Sequence, residues 1–308
     1  MARKRKGVPV HGWLVLDKPR GISSAAAVAR VRRALGAEKA GHGGTLDPLA
    51  TGVLPIALGE ATKTVAYAMD GRKTYQFQVR WGEERTTDDA EGDVVAVSAE
   101  RPTASQVEAV LPEFVGEIEQ RPPAFSAIKV DGRRAYELAR ADLAPALEPR
   151  RVVIERLALV EVPDRDHARF EAVAGKGAYM RSLARDLARR LGTVGHIDLL
   201  RRTAVGPFRE AQAISLEQIE ALGHSAAALG RVLPVETALD DIPALALTED
   251  EASRLRRGQS VALIKRSDLV RVEGLAADGI VCATHGGKPV ALTRYAAGEL
   301  RPVRVLHL

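Results

Sequence analysis

The chain has 308 residues, of which 46% are hydrophobic, with one cysteine and a formal net charge of +5. This length can bury the cores of two domains, and a lone Cys282 excludes an intramolecular disulfide and a cysteine-built zinc site such as that of the zinc deaminases. No apolar run approaches the roughly 20 residues of a membrane-spanning helix, and no signal-like apolar segment follows the basic N-terminus, so we expect a cytoplasmic protein that does not enter membranes.

The first predicted elements follow a basic N-terminal arm, which we place at residues 1–10. An apolar run over residues 12–18 indicates a short buried strand. Apolar residues at helical spacing predict a helix over residues 25–35, with Ser23 or Ser24 as its N-cap.

A half-buried strand is predicted over residues 73–81, where apolar and polar side chains alternate. Further strands are predicted over residues 94–97, 124–130, 152–160 and 168–174, and helices over residues 105–114, 135–140 and 179–191. The strands outnumber the helices and often follow one another without a helical crossover. This pattern predicts an α+β fold with a mixed, largely antiparallel sheet flanked by helices.

The pattern changes after residue 209, and residues 209–247 are predicted to form a packed connection that carries several prolines. A capping box at residues 248–251 then starts a helix that ends at Gly258. Short strand-like runs follow over residues 260–264, 269–275, 279–284, 289–293 and 303–308. We therefore predict a first domain over residues 11–240 and a small β-rich domain over residues 245–308.

Positive charge is concentrated between Lys176 and Arg209, where eight basic residues stand against two acidic ones. Clustered positive charge favours a phosphate-rich partner such as RNA, because neutralised phosphates release counterions. A basic helix face that is merely solvated explains the same pattern equally well.

The glycine-rich turn over residues 41–54 carries one carboxylate, Asp47, and leads into an apolar segment. Glycine permits backbone angles closed to other residues, and Pro48 pushes Asp47 away from the helical region. An acid held against apolar side chains is poorly solvated, which suits a base or a nucleophile. From these residues alone, an ordinary Asp-Pro turn or helix cap is the more frequent explanation.

Two other segments carry candidate site residues. Tyr75 lies on the apolar face of its strand, where periodicity alone favours an ordinary core tyrosine. On the helix over residues 179–191, a stripe of Arg181, Arg185 and Arg189 faces away from the apolar side, so one arginine can pair with a carboxylate. For Arg185 and Arg189 we expect contact with solvent or phosphate.

These segments resemble the TruB family of tRNA pseudouridine synthases. Residues 44–54 fit the family pattern Gly-Xaa-Leu-Asp-Pro-Xaa-Ala-Xaa-Gly-Val-Leu without a gap. Residues 73–75 match the Lys-Xaa-Tyr strand of the family, and residues 177–181 match its Gly-Xaa-Tyr-Xaa-Arg segment. The resemblance extends over residues 11–210.

The resemblance implies three catalytic residues. Asp47 corresponds to the nucleophile, Arg181 to an arginine that forms a salt bridge with it, and Tyr75 to a tyrosine that stacks on the target base near C5. The resemblance also implies three residues that contact the RNA or line the pocket of the base, namely His42, Tyr179 and Leu200.

Two more residues are implied to support the site. Lys18 corresponds to a motif that braces the catalytic loop, and Asp89 to an acid that pairs with the active-site arginine. Because residues 85–92 depart from the family's Thr-Asp-Thr-Xaa-Asp-Ala-Xaa-Gly pattern, the neighbouring Asp88 is an alternative for this role. No other histidine or cysteine stands at metal-ligand spacing from His42, so we predict no metal.

The fold implied by the resemblance is that of the pseudouridine synthases, followed by a PUA-like RNA-binding domain. The implied reaction isomerises uridine 55 in the T arm of tRNA without a cofactor, after the uridine has flipped out of the RNA. We expect a monomer that needs no protein partner. Two alternatives stay open, a guide-dependent ribonucleoprotein pseudouridine synthase subunit and a non-catalytic tRNA-folding protein.

Overall fold

A computed structural model describes residues 7–126, 128–130, 132–139, 141, 143, 147–264 and 266–308. Most of the predicted basic arm therefore lies outside the described residues. No helix within these ranges has the length and apolar character needed to cross a membrane. The helices are α1 (Ser24–Ala34), α2 (Val65–Asp70), α3 (Ala104–Val110), α4 (Ala135–Ala139), α5 (Met180–Arg190), α6 (Leu216–Leu222), α7 (Ala226–Leu229), α8 (Glu249–Arg256) and α9 (Arg266–Arg271).

Most strands belong to two sheets, one formed by strands up to residue 215 and one by strands after residue 243. Those up to residue 215 are β1 (Gly12–Lys18), β2 (Ala40–His42), β3 (Thr51–Leu58), β4 (Lys73–Trp81), β5 (Glu83–Arg85), β6 (Val94–Val97), β7 (Gly116–Gln120), β8 (Lys129–Val130), β9 (Arg133–Arg134), β10 (Arg150–Asp164), β11 (His167–Ala174), β12 (Gly195–Val205), β13 (Phe208–Arg209) and β14 (Ile214–Ser215). The later ones are β15 (Ala244–Ala246), β16 (Val261–Ala262), β17 (Ile280–His285), β18 (Lys288–Ala296) and β19 (Glu299–Val305).

The large sheet has the strand order β14-β1-β3-β12-β4-β11-β10-β7, with β2 added to β3 and β13 to β12. Its neighbours are antiparallel except for the pairs β1 with β14 and β3 with β12. This mixed sheet confirms the predicted α+β class. The core beneath it contains fully buried side chains of α1, α5 and the central strands, such as Val31, Leu54, Val79, Leu183 and Leu187.

The centre of the large sheet positions the candidate residues. Parallel β3 and β12 pair Gly52 with Arg202, and antiparallel β12 and β4 pair Arg202 with Tyr75. The loop that carries Asp47 runs from β2 into β3, and α5 packs against β12 and β4. Side chains from three strands, one loop and one helix therefore converge on one place.

The second sheet has the order β15-β17-β18-β19-β16 and its own buried cluster, which includes Leu255, Val281 and Leu300. This arrangement agrees with the predicted β-rich, PUA-like C-terminal part. The predicted strand over residues 269–275 is wrong, because α9 begins at Arg266. Arg271 there forms ion pairs with Glu251 at 2.8 Å and with Asp268 at 3.0 Å.

Other elements differ from prediction in extent. The predicted strand over residues 124–130 is reduced to β8, and Ala127 lies outside the described residues. The helix predicted over residues 105–114 splits into α3 and a 3-10 turn over Leu111–Phe114, which contains Pro112 near its start.

Candidate active site

The loop that carries Asp47 is fixed by a buried serine. Ser24 Oγ donates to Leu46 O at 2.9 Å and accepts from Leu46 N at 2.8 Å. The N-cap of α1 is Ser23, whose side chain accepts from Ala26 N at 3.1 Å. Ser24, which we had considered only as a cap, therefore anchors the residue next to Asp47.

A second anchor is Arg202, a residue to which sequence reasoning gave no role. Its guanidinium is buried and donates to Val53 O at 2.9 Å, Thr45 O at 3.2 Å and Gly44 O at 3.0 Å. Burial lowers the pKa of Arg202 below its ordinary value, and a hydrogen bond with Tyr75 opposes that shift. The signal that could have indicated this role is the adjacent pair Arg201 and Arg202 within the largely apolar residues 197–205.

Gly52 lies where the loop becomes β3, directly beside Arg202. Its φ is +97°, and a Cβ added there would collide with the carbonyl oxygen of Arg202. We expect Gly52→Ala to lower the free energy of unfolding by about 3 kcal/mol or more, because backbone strain and a steric clash add. Chemical denaturation measures this loss.

The matched control for that prediction is Gly258→Ala. Gly258 also has a positive φ of +76°, but a Cβ there would meet no atom within 4 Å. This control isolates the backbone cost, which we expect to be about 1 kcal/mol. Equal losses for the two variants would show that the contact with Arg202 does not matter.

The carboxylate of Asp47 faces the guanidinium of Arg181. Asp47 Oδ2 lies 2.9 Å from Arg181 Nε, and the side chain of Asp47 is 34% exposed while that of Arg181 is 4% exposed. The acid is thus half-buried and open to a ligand, rather than enclosed by apolar side chains as expected. The N–H of Nε does not have hydrogen-bond geometry toward this oxygen, so the contact is an ion pair.

The remaining nitrogens of Arg181 are held by the backbone. Nη1 donates to Thr87 O at 3.0 Å, and Nη2 donates to Phe125 O at 2.8 Å. Asp89 Oδ2 lies 3.7 Å from Arg181 Nε, whereas Asp88 binds Arg185 instead. Of the two acids considered for the supporting role, Asp89 is therefore the one beside Arg181.

A cavity of about 340 Å³ opens beside this ion pair. Such a volume lies at the lower end of the range for small-molecule sites, roughly 300 to 1,000 Å³. Five of the predicted site residues line it, namely Asp47, Tyr75, Tyr179, Arg181 and Leu200. Lys73 and Arg202 also line it. Lys18, His42 and Asp89 do not line it.

The two tyrosines of the cavity are both half-buried. Tyr75 therefore packs against the core with part of its ring and leaves the rest toward the cavity, unlike an ordinary core tyrosine. Tyr179 precedes α5, and Gln120 both donates to its carbonyl at 3.1 Å and accepts from its N–H at 2.7 Å. Burial and the charge of Asp47 raise the pKa of Tyr179, so its hydroxyl stays protonated at neutral pH.

Lys18 is fully buried beneath the same loop. Its Nζ donates to Pro19 O and Ile22 O, both at 2.9 Å, and to Pro48 O at 3.3 Å. It thus contacts the residue that follows Asp47. Burial lowers the pKa of Lys18 to about 8, and the negative charge of Asp47 partly opposes this shift.

This lowered pKa predicts a dependence of stability on pH. Between about pH 8 and the ordinary value of 10.5, the unfolded chain keeps a proton on Lys18 that the folded protein has released. The contribution of Lys18 to the free energy of unfolding therefore increases as the pH rises through this window. We expect Lys18→Met to flatten the increase measured by denaturation between pH 7.5 and 10, relative to the exposed control Lys288→Met. Equal slopes would refute the shift.

The basic segment from Lys176 to Arg209 differs from expectation, because most of its charges are paired within the protein. Arg185 is only 8% exposed and binds Asp88, which leaves it little surface for the contact with solvent or phosphate that we had expected. Four more form ion pairs: Lys176 with Asp70, Arg189 with Glu84, Arg190 with Glu113, and Arg201 with Asp17 and Glu210. Counting charges along the chain therefore overstates what this segment offers to RNA.

His42 lies outside the lining of the cavity. It ends β2, where it pairs with Ile56 of β3, just before the loop that carries Asp47. Within the described ranges, no group of three histidine, cysteine, aspartate or glutamate side chains is placed to hold a metal ion.

Comparison with known proteins identifies the family of the chain. Residues 32–180 match the TruB family pseudouridylate synthase (N terminal domain), and residues 181–240 match the tRNA pseudouridylate synthase B C-terminal domain. The tRNA pseudouridine synthase B of Rhodospirillum rubrum is 55% identical, and that of Caulobacter vibrioides is 53% identical. Both alignments cover 100% of this chain and 100% of the relative.

Among solved structures, the chain is similar to one described as an H/ACA RNP bound to a substrate RNA containing 2'-deoxyuridine. The TM-score is 0.74 at 22% identity, over 100% of this chain and 92% of the other. The mixed sheet is that of the pseudouridine synthase fold, and the family matches place the chain among the pseudouridylate synthases. The family matches and the relatives are more specific, and the chain belongs to the TruB family of pseudouridylate synthases.

Proposed function

We propose that this protein converts uridine 55 in the T loop of tRNA to pseudouridine and needs no cofactor. The observation that carries the proposal is the ion pair between Asp47 and Arg181 at the wall of a cavity of about 340 Å³, which is large enough for a nucleobase. Relatives more than 50% identical over the whole chain bear the name tRNA pseudouridine synthase B. A cytoplasmic location fits this substrate.

The reaction breaks the bond between ribose C1′ and uracil N1 and joins C1′ to C5. The proton on C5 leaves and N1 gains one, so no atom or electron pair enters or leaves overall. Asp47 promotes cleavage of the C1′–N1 bond as the nucleophile, and the guanidinium of Arg181 keeps it ionised and oriented. A half-exposed carboxylate suits this role, because it can be reached by a ribose.

The cavity must retain the free uracil while it turns. Tyr75 stacks on the base near C5, and Tyr179 and Leu200, which line the same cavity, contact the base as well. Flipping a nucleotide out of folded RNA costs a few kcal/mol, which contacts of this kind repay. We assign His42, at the start of the catalytic loop, to the RNA next to the flipped nucleotide.

The guide-dependent alternative draws on the likeness to a structure of an H/ACA RNP, but at 22% identity that likeness shows the fold alone.

We propose a monomer that recognises tRNA without a protein partner. Unmodified tRNA transcript is mixed with purified protein alone, with protein plus extract of cells that lack this protein, or with that extract alone, and pseudouridine is mapped. Modification at position 55 by the protein alone is the expected result, and a transcript with cytidine 55 should stay unmodified. Product only from protein and extract together would favour the guided enzyme.

A further inference from the structure

The proposed mechanism makes no use of Arg185, which lies one helical turn beyond Arg181 on α5 and is only 8% exposed. Its Nη1 donates to Asp88 Oδ2, its Nη2 to Arg121 O and its Nε to Asp186 Oδ1, each at 2.9 Å. None of these partners lines the catalytic cavity. Each nitrogen of this guanidinium is therefore engaged inside the protein, away from the reacting atoms.

Arg181 and Arg185 connect the same two segments of the chain to α5. Arg181 donates to a carbonyl of the turn over residues 87–89 and to a carbonyl of residues 121–126. Arg185 donates to a carboxylate of the first segment and to a carbonyl of the second. Only Arg181 reaches Asp47. The second arginine thus repeats the structural contacts of the first without its contact to the site.

The turn that both arginines hold has an unusual backbone. Asp88 has a φ of +59°, in the left-handed region that favours glycine, and its carbonyl accepts from Ile197 N at 3.1 Å. Such a conformation persists only where the surroundings impose it. The next residue is Asp89, which faces Arg181. The contact of Arg185 with Asp88 therefore holds the turn that presents Asp89.

The orientation of Arg181 depends on these supports. Its Nε has no hydrogen-bond geometry toward Asp47, so that ion pair does not by itself fix the plane of the guanidinium. The plane is set by the two carbonyls that its other nitrogens contact, and both belong to the segments that Arg185 also holds.

We infer that Arg185 and Asp88 form a positioning pair, which sets the guanidinium of Arg181 against Asp47 without touching the RNA. This inference rests on the proposed function. The pair acts on the rate of the chemical step and leaves the affinity for tRNA unchanged. If the proposed function fails, the wild-type protein is inactive on tRNA. If only this inference fails, the wild-type protein is active and the variants below behave differently.

The test uses Asp88→Asn, because asparagine tolerates a positive φ and the substitution removes only the charge that Arg185 binds. Single-turnover rates on tRNA, with enzyme in excess, should fall about tenfold, while the dissociation constant for tRNA stays within twofold. Arg189→Met is the matched control, because Arg189 lies one turn further along α5 and pairs with Glu84 at the surface. Its rate should equal that of the wild type.

A double-mutant cycle separates positioning from a general structural effect. If Asp88 acts through Arg181, the tenfold loss disappears when Asp88→Asn is introduced into the Arg181→Met variant. The same tenfold loss in both backgrounds, or a loss of tRNA affinity equal to the loss of rate, would overturn the inference. Arg185→Lys serves if Asp88→Asn does not fold, since it keeps the charge beside Asp88 but cannot also reach Arg121. We expect Arg185→Lys to lower the single-turnover rate by less than tenfold, and this loss should also disappear in the Arg181→Met background. An unchanged rate for Arg185→Lys would overturn the inference as well.

Discussion

Asp47→Asn abolishes pseudouridine formation and leaves tRNA binding nearly intact. We expect the single-turnover rate to fall by at least about 1,000-fold, because the amide is a far weaker nucleophile than the carboxylate. The dissociation constant for tRNA should change by less than about tenfold, because one half-exposed carboxylate is not the main contact with phosphates. Tritium release from C5-labelled tRNA measures the rate, and filter binding measures the affinity.

The control for this variant is Asp166→Asn, which removes the charge of an aspartate whose side chain is 45% exposed and pairs with Arg101. It should retain the wild-type rate. If Asp47→Asn bound tRNA as weakly as it reacted, Asp47 would be a binding residue and the nucleophile would have to be sought elsewhere. An intact rate would show that Asp47 is not the nucleophile.

Arg181→Met has the second largest expected effect. The guanidinium is the cation closest to Asp47, and removing an oriented group of this kind from an active site costs about 100- to 1,000-fold in rate. The affinity for tRNA should remain within about threefold, because Arg181 is 4% exposed and its other nitrogens bind backbone carbonyls rather than solvent. Single-turnover rates and binding constants, measured on one preparation, give both quantities.

Loss of a buried arginine also leaves Asp89 without its neighbouring cation, so a stability measurement must accompany the rates. Arg189→Met again provides the control on the same helix. A variant that folds, binds tRNA and reacts at the wild-type rate would remove Arg181 from the active site.

Local patterns predicted the elements that carry several site residues, whereas the roles of these residues followed from the resemblance to the TruB family. The glycine-rich turn with Asp47 is encoded in adjacent residues. The helical spacing of apolar residues in α5 predicted the helix that carries Arg181. The alternation of β4 gave the strand that carries Tyr75. These features depend on residues within one or two turns of each other, which is the range over which a single sequence is informative.

What could not be predicted depends on contacts between distant residues. Arg202 binds carbonyls 149 to 158 positions earlier, and Ser24 binds Leu46 across 22 positions, so neither role leaves a local pattern. β3 was not recognised as a strand, because it contains Gly52 and Pro55 and is buried on both faces, so its residues do not alternate.

The charge pattern misled for the same reason. Arg185 lies 97 positions from Asp88, its partner, so a helix face that looks free in the sequence is paired in the fold. In the C-terminal part, ion pairs of Arg271 with Glu251 and Asp268 accompany a helix where the local sequence suggested a strand.

The central claim is that Asp47 is aimed at the glycosidic bond of a flipped uridine. A structure of the Asp47→Asn variant bound to unmodified tRNA tests it most directly. We predict that the side chain at position 47 lies about 3 to 4 Å from C1′ or the base of nucleotide 55, with that base between Tyr75 and Leu200. A uridine 55 that stays stacked in the T loop, more than about 10 Å from this side chain and thus far beyond reacting distance, would contradict the account.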